Sequence, residues 1–600
     1  MASLQESQPY VPTKAWWKEA VVYQIYPISF FDSNGDGLGD LRGIHAKLDY
    51  LKSLGVDVLW LSPIYRSPLA DMGYDISDYR DIDPRYGTLQ DWDDLLKGVH
   101  ERGMKLMMDL VINHTSDEHE WFKQSRSSKS DPKRDWYVWR PPKYDEQGNR
   151  QPPNNWRSAF QGPAWDFDEA TGEYYLHIYV TKQPDLNWEN PEVHEAAWDV
   201  MRFWIDRGCD GFRMDVINLL SKEDGLPDAP ITDLGEASQP ASMYFANGPR
   251  VHEYIREMHS KVLSKHDLIT VGETPFTYDA EPLADYVLPA NKELNMVFHF
   301  EIMDLDSPKG GHDYDALRFK PWALDDLKGI ISRWQTFHRE DGYWNAVFIE
   351  NHDHSRVVSR FGNDSDEWRA ISAKMLAILQ VGQGGTQFVY QGQELGLKNF
   401  PRSWGIEEYK DVASINYWNR ILAQRRASTG LDEPDMSDVL DGFQKKARDH
   451  SRVPMQWDST SNAGFTQGTP WMRVNEDYKV WNAAAQLTDA ASVLAFWKKA
   501  LATRKQYEVL IYGDFRDVSV NSPTVFMFTR TLPGSKTGTK ALIALNFDTS
   551  PVEVYIPVEE GARKYELVLS NYEVETPTLV PEPGAVLHLQ GYEGRVYIRA

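Results

Sequence analysis

Cysteine is nearly absent: Cys209 is the single one in 600 residues, so no disulfide can form within the chain. That excludes the disulfide-stapled secreted scaffolds and points to a reducing compartment. No apolar run approaches the roughly 20 residues that a membrane helix needs. The opening stretch, MASLQESQPYVPTKAWWKEA, lacks the apolar centre of a signal peptide, so the expected location is the cytoplasm. Basic residues are the scarcer charge: 64 Lys and Arg face 89 Asp and Glu, a net charge of −25. A surface that negative repels nucleic acid and anionic membranes, whereas a neutral small molecule is indifferent to it. Low-complexity segments and short-period repeats are missing as well.

What is present reads as globular, with 41% hydrophobic and 26% charged residues. The length suggests one large domain with satellites. Aromatics reach 13%, including 22 Trp, which suits the C–H faces of sugar rings and equally suits a large core.

Short apolar runs recur, starting at Val21, Val56, Lys105, Gly211, Asp267, Glu293, Asn345 and Thr386. Helical patterns such as LRGIHAKLDYLKSLG and LQDWDDLLKGVHERG separate them. Strands alternating with helices predict a parallel α/β sheet, doubly wound or closed as a (β/α)8 TIM barrel, and eight repeats favour the barrel. Residues 115–190, rich in Trp, Pro and Asn, interrupt the alternation after strand three and predict an inserted domain. Lys398 to about residue 480 forms a second long insertion, after strand eight. From Val518 short strands follow one another without helices, predicting a C-terminal antiparallel β domain. The expected division is a barrel from 1–114 and 191–517, an insert at 115–190 and a β domain at 518–600.

The chemistry gathers at the C-terminal strand ends, where barrel enzymes carry their sites. In CDGFRMDVIN, Arg213 and Asp215 lie two apart on one strand and therefore project from one face. Burying both ions costs several kcal/mol each unless they are paired. Strand three ends in Asn113 and His114, strand five in Glu273, and strand seven in His352 and Asp353. Singly, each is more often a cap or a helix-end charge than a catalytic group. Together at one barrel mouth they provide the paired carboxylates of a glycosidase, one ionised and one protonated. Arg213 is expected to lower the Asp215 pKa and keep it a nucleophile. Glu273 lacks such a partner in sequence and is expected to titrate high, as a general acid.

The segments DLVINH, GFRMDVIN, TVGE and FIENHD resemble the four characteristic segments of the α-amylase superfamily. DMGYDISDY, QPDLNWENP and RDHSRVPMQWD resemble its α-glucosidase group of oligo-1,6-glucosidases, isomaltases and maltases. The resemblance runs from about Trp16 to the C-terminus. It implies a (β/α)8 barrel with a domain inserted after strand three and a C-terminal β domain. It implies Asp215 as nucleophile, Glu273 as acid/base and Asp353 as a third carboxylate stabilising the transition state. Asp75, His114, Arg213, His352 and Arg448 are implied to hold the non-reducing glucose. Phe160, Tyr179 and Gln183 are implied for the neighbouring sugar site. Val216 is implied to border the leaving-group side, where isomaltose-cleaving relatives have Val and strict maltases more often Thr. Terminal glucose would leave a short oligosaccharide through a covalent glucosyl-enzyme, with retention of the α anomer.

DSNGDGLGD, residues 32–40, opens like an EF-hand loop but has Gly43 where that loop needs a Glu. The oxygens of Asp32, Asn34, Asp36 and Asp40 with the Leu38 carbonyl are expected to surround a structural Ca²⁺ or Mg²⁺, against the alternative of an empty Asx-rich turn. The resemblance implies such a loop after strand one. Asn113 and Asn363 match the N-glycosylation pattern by chance, since Asn113 lies at the barrel mouth. Three departures from the family pattern stand out: Gln393 in YQGQELG, His354 in ENHDHSR, and Ala413, where isomaltose-preferring relatives often have Glu. A sucrose isomerase or other transglucosylase is the rival enzymatic reading. Those resemble the chain but carry RLDRD where it has DLDSP, residues 304–308. A non-catalytic transporter heavy chain would have a membrane helix and lack the carboxylates. Maltase and sucrose-cleaving activities, and a monomer or a dimer, all remain open at this level.

Overall fold

The computed structural model describes residues 10–308, 317–519, 522–535, 538–556, 563–582 and 584–599; the first nine residues of the opening stretch lie outside the described residues.

Eight parallel strands form the central sheet: β1 Val21–Ile25, β2 Val58–Leu61, β3 Lys105–Val111, β4 Gly211–Asp215, β5 Ile269–Glu273, β6 Met296–Phe298, β7 Ala346–Val347 and β8 Thr386–Tyr390. Pairing runs in sequence from β1 to β6, and β8 closes back on β1 in register, Val21 opposite Gln387. The sheet's two ends are β6 and β7, and the rings of Phe298 and Phe348 meet edge to face across that seam, centroids 4.9 Å apart. This is the expected TIM barrel. Its strands are buried on both faces, which is why they read as continuous apolar runs rather than alternating ones. At the start of β4, Gly211 lets β5 come close: a Cβ there would lie 2.1 Å from the Ile269 carbonyl oxygen.

Local signals start the helices between strands. Thr88 and Asp91 form a reciprocal capping box at Leu89–Glu101. Asn190 caps Pro191–Asp206, with proline at the first position. The insert carries a three-stranded antiparallel sheet of Trp139–Arg140, Trp165–Asp168 and Glu173–Leu176. A bridge between His114 and Asp185 ties it to the end of β3. After β8, helices Val412–Thr429 and Ser437–Lys446 lead into the turn Asp449–Arg452 beside the barrel mouth.

Among the described residues the C-terminal sheet has six strands and begins at Asp514, somewhat ahead of Val518. Its junction with the barrel holds two buried arginines. Arg504 donates to the carbonyls of Val381, Gln383, Gly385 and Leu510 at 2.5–3.1 Å. Arg530 donates to the carbonyls of Gly382 and Gly513, both at 3.0 Å. Burial pushes the Arg504 guanidinium down to about 9 and lowers Arg530 well below its usual value as well.

Candidate active site

A cavity of about 150 Å³ opens at the C-terminal ends of the strands. Asp215, Glu273, Asp353, His114, Phe160, Tyr179, Val216 and Arg448 line it, as do Ala413 and His354. The sequence-predicted carboxylates are thus brought together.

Arg213 lies beneath them and joins three acids. Its Nη1 stands 2.7 Å from Asp215 Oδ1 and 2.8 Å from Asp109 Oδ1, and its Nη2 stands 2.7 Å from Glu273 Oε2. Two expectations change here. Glu273 does have a cationic partner, because Arg213 reaches across from β4 to β5. Asp215 is pushed up rather than down: burial raises it, Arg213 opposes, and the charges of Glu273 and Asp109 add to the rise. Asp109 is likewise pushed up by burial to about 6. One cation cannot neutralise three buried carboxylates, so the cluster favours retention of a proton.

Geometry distinguishes the oxygens within the pair. Glu273 Oε2 accepts a second bond, 3.2 Å from the Val216 amide. Oε1 of Glu273 and Oδ2 of Asp215 are the oxygens that Arg213 does not hold. Val216 makes its contact from a left-handed conformation, φ 38° and ψ 43°, which is unusual for a β-branched residue. Such a conformation costs of order 1–3 kcal/mol and persists only where surrounding structure imposes it.

Asp353 has the opposite electrostatics. Burial acts to raise it, but His352, Arg448 and Arg452 hold it well below the carboxylate range. His352 itself is pushed down to about 3 by burial and is neutral at pH 7, which leaves the two arginines as the opposing charges. Arg448 Nη1 and Arg452 Nη2 both stand 2.9 Å from Asp353 Oδ1, and Asp411 anchors both arginines. His352 Nε2 lies 3.0 Å from Asp353 Oδ2.

Among the implied sugar-holding residues, Asp75 is displaced from its expected role. It is fully buried off the cavity, and its oxygens accept from Ser67, Ala70 and Asp71. The carboxylate of that segment that lines the cavity is Asp71, 3.2 Å from Arg448 Nη2 and pushed up to about 6 by burial. Gln183 sits behind the wall, its Nε2 3.1 Å from Asp71 Oδ2 and 3.2 Å from His114 Nε2. Arg448 lies over the Phe160 ring at 5.0 Å. Sequence reasoning passed over Asp71, Asp109 and Arg452. Asp109 had the signal that singled out Arg213, a charge inside an apolar strand. Arg452 follows Arg448 by one helical turn, so both face one way.

The loop at 32–40 is held by its own hydrogen bonds. Asp32 accepts from the amides of Asn34, Gly35 and Gly37, Asn34 from Asp36, and Asp36 from Leu38. Asp40 caps the helix that begins at Leu41. Among the described residues no three Asp, Glu, His or Cys stand close enough to grip a metal. The carboxylate and amide oxygens keep further lone pairs, so the donor set suits a hard cation, but the turn as it stands is Asx-bonded.

The departures find partial accounts. Gln393 pairs its amide with buried Gln380 at 2.8 Å, where a neutral side chain avoids a second charge beside Glu394. His354 Nδ1 contacts Asn351 Oδ1 at 2.7 Å.

Known proteins agree with this architecture. Residues 24–513 match the α-amylase catalytic domain. An α-glucosidase of Schizosaccharomyces pombe is 50% identical over 93% of this chain and 94% of its own. An oligo-1,6-glucosidase of Parageobacillus thermoglucosidasius is 49% identical over 97% of this chain and 99% of its own. Among solved structures, isomaltulose synthase from Klebsiella superposes with a TM-score of 0.88 at 40% identity, covering 98% of this chain and all of that one. With its barrel, its strand-end carboxylates and these relatives agreeing, the chain belongs to the α-amylase family.

Proposed function

We propose that the protein is an exo-acting, retaining α-glucosidase that removes terminal non-reducing glucose from short oligosaccharides, with α-1,6 linkages favoured. The observation that carries this reading is the sharing of one guanidinium by Asp215 and Glu273. Two carboxyls held by adjacent nitrogens of one arginine suit the close spacing, about 5 Å, that retaining pairs use, rather than the wider gap that admits the water of an inverting one. Asp215 attacks the anomeric carbon through Oδ2, while Glu273 gives its proton from Oε1 to the leaving oxygen. Glu273 then takes a proton from water, which breaks the glucosyl ester. Arg213 and the Val216 amide keep Glu273 Oε2 occupied, so Oε1 is the oxygen left to pass a proton to the leaving group. Asp353 stays ionised and grips sugar hydroxyls with Arg448, and Asp71 takes the place first given to Asp75.

The α-1,6 preference is supported by Val216 in the cavity wall and by the oligo-1,6-glucosidases among the relatives; Ala413 in the same wall weighs against it. A cytoplasmic location is supported by the lone buried thiol of Cys209. The loop at 32–40 is proposed to take Ca²⁺ on its remaining lone pairs.

The rival, sucrose isomerisation, draws on the superposed isomaltulose synthase and on Asp304 and Ser307 in the wall. The stretch DLDSP lacks the arginines that would steer fructose. A substrate panel of isomaltose, maltose, sucrose, trehalose and panose, with product anomers followed by NMR, tests both. The proposal expects α-glucose as first product and isomaltose as best substrate; isomaltulose or trehalulose from sucrose would overturn it.

A further inference from the structure

Gln24 takes no part in the mechanism above, yet it lies inside the barrel on β1, 2% exposed, against a residue of the site. Its Nε2 stands 2.7 Å from His352 Nδ1 and 3.2 Å from Ser62 Oγ. An amide nitrogen only donates, so Nδ1 must offer its lone pair. The other ring nitrogen, Nε2, lies 3.0 Å from Asp353 Oδ2 and 2.8 Å from the Tyr74 hydroxyl. A carboxylate only accepts, so Nε2 must carry the proton.

Asp353 decides the orientation on both sides. Exchanging the amide oxygen and nitrogen of Gln24 would move the proton to Nδ1 and set a bare Nε2 lone pair against Asp353. Arg448 and Arg452 keep that carboxylate charged, so the exchange is repulsive. Tyr74 fits the same arrangement, because its hydroxyl donates onward to Asp109 Oδ2 at 3.1 Å. Neighbouring rings fix the plane of the imidazole: Tyr26 and Tyr74 stack on it, and Trp60 meets it edge-on.

We propose that Gln24 is a positioning residue that locks His352 in the Nε2–H tautomer, so that the ring holds Asp353 in place from behind the cavity. Its consequence for turnover rests on the glucosidase reading; the tautomer itself does not. The functional idea is that an imidazole free to exchange tautomers would release Asp353 Oδ2 for part of the time. Misplacing a transition-state contact by a fraction of an ångström costs roughly tenfold in rate.

Histidine-ring ¹⁵N spectroscopy of the wild-type protein, with the signal assigned by its loss in His352→Asn, should show a bare Nδ1 and a protonated Nε2. Gln24→Glu sets an acceptor against Nδ1 and should protonate it. Gln24→Leu keeps the bulk and removes the donor; it should lower kcat/KM on isomaltose by about tenfold, chiefly through kcat, with unchanged circular dichroism. A protonated, Nε2-bare ring in the wild type overturns the proposal, whatever the variants do. So does an Nδ1 signal unmoved in folded Gln24→Glu, or an unchanged kcat/KM in folded Gln24→Leu on a substrate the wild type cleaves. A wild type that cleaves no α-glucoside brings down the glucosidase reading alone, since the ring signal is measured without substrate.

Discussion

Two of the places that bury arginine solve the same problem differently. In the barrel mouth, Arg213 is surrounded by Asp109, Asp215 and Glu273. At the junction with the C-terminal sheet, Arg504 and Arg530 meet carbonyl oxygens instead. Carboxylates raise the Arg213 guanidinium well above its usual value against the burial that lowers it, whereas burial wins at Arg504 and Arg530. Full charges around a cation leave protons to be shared and moved, which chemistry needs. Carbonyl dipoles hold a cation without titrating, which only structure needs. A buried charge is therefore diagnostic through its partners rather than through its burial.

Removing groups at each place should separate the two kinds of site. The largest effect belongs to the mouth: Asp215→Ala and Glu273→Gln should each cut kcat/KM by on the order of 10⁴-fold or more, with circular dichroism unchanged. Near-wild-type rates in either would break the contrast by making the mouth structural. Arg530→Met should do the reverse. Losing its hydrogen bonds to Gly382 and Gly513 should cost about 3 kcal/mol in urea unfolding, while kcat at 25 °C per folded molecule stays unchanged. A kinetic defect with intact stability would erase the distinction.

A smaller effect is expected at the cavity wall. Val216→Thr changes polarity at nearly constant shape and should raise maltose over isomaltose activity by about tenfold. A wild type that prefers maltose, or an unchanged ratio in the variant, would move specificity elsewhere, with Ala413 the first place to look. Smallest is the loop at 32–40. Prolonged chelation should lower the melting temperature by about a degree or two without touching chemistry directly, because a bound ion stabilises only through its affinity for the folded state. An unchanged melting temperature together with no metal by elemental analysis would leave Asp32 and its neighbours as an Asx-bonded turn.

The barrel was legible because strands buried on both faces announce themselves as unbroken apolar runs, and the catalytic acids because they terminate those runs. Contacts that cross between strands were not legible. Arg213 belongs to β4 in the chain but serves β5 equally in space. Asp71 and Asp75 could not be told apart either. The loop between them turns through positive φ at Met72 and Gly73, 51° and 110°, so no periodicity tells which carboxylate faces the cavity. Nor does anything in DVIN show that Val216 adopts a left-handed backbone.

The junction arginines also bear on how the chain assembles during synthesis. The turn at 382–385 delivers β8, the strand that pairs with β1 and closes the ring. Its carbonyls wait for Arg504, 119 positions after Gly385, and for Arg530, 148 positions after Gly382. At ordinary elongation rates that is a delay of on the order of ten seconds. The nascent barrel thus has its last strand in hand well before the groups that secure it. A ribosome-bound chain halted between those points should be far more sensitive to protease at the turn 382–385 than one released with the C-terminal sheet in place.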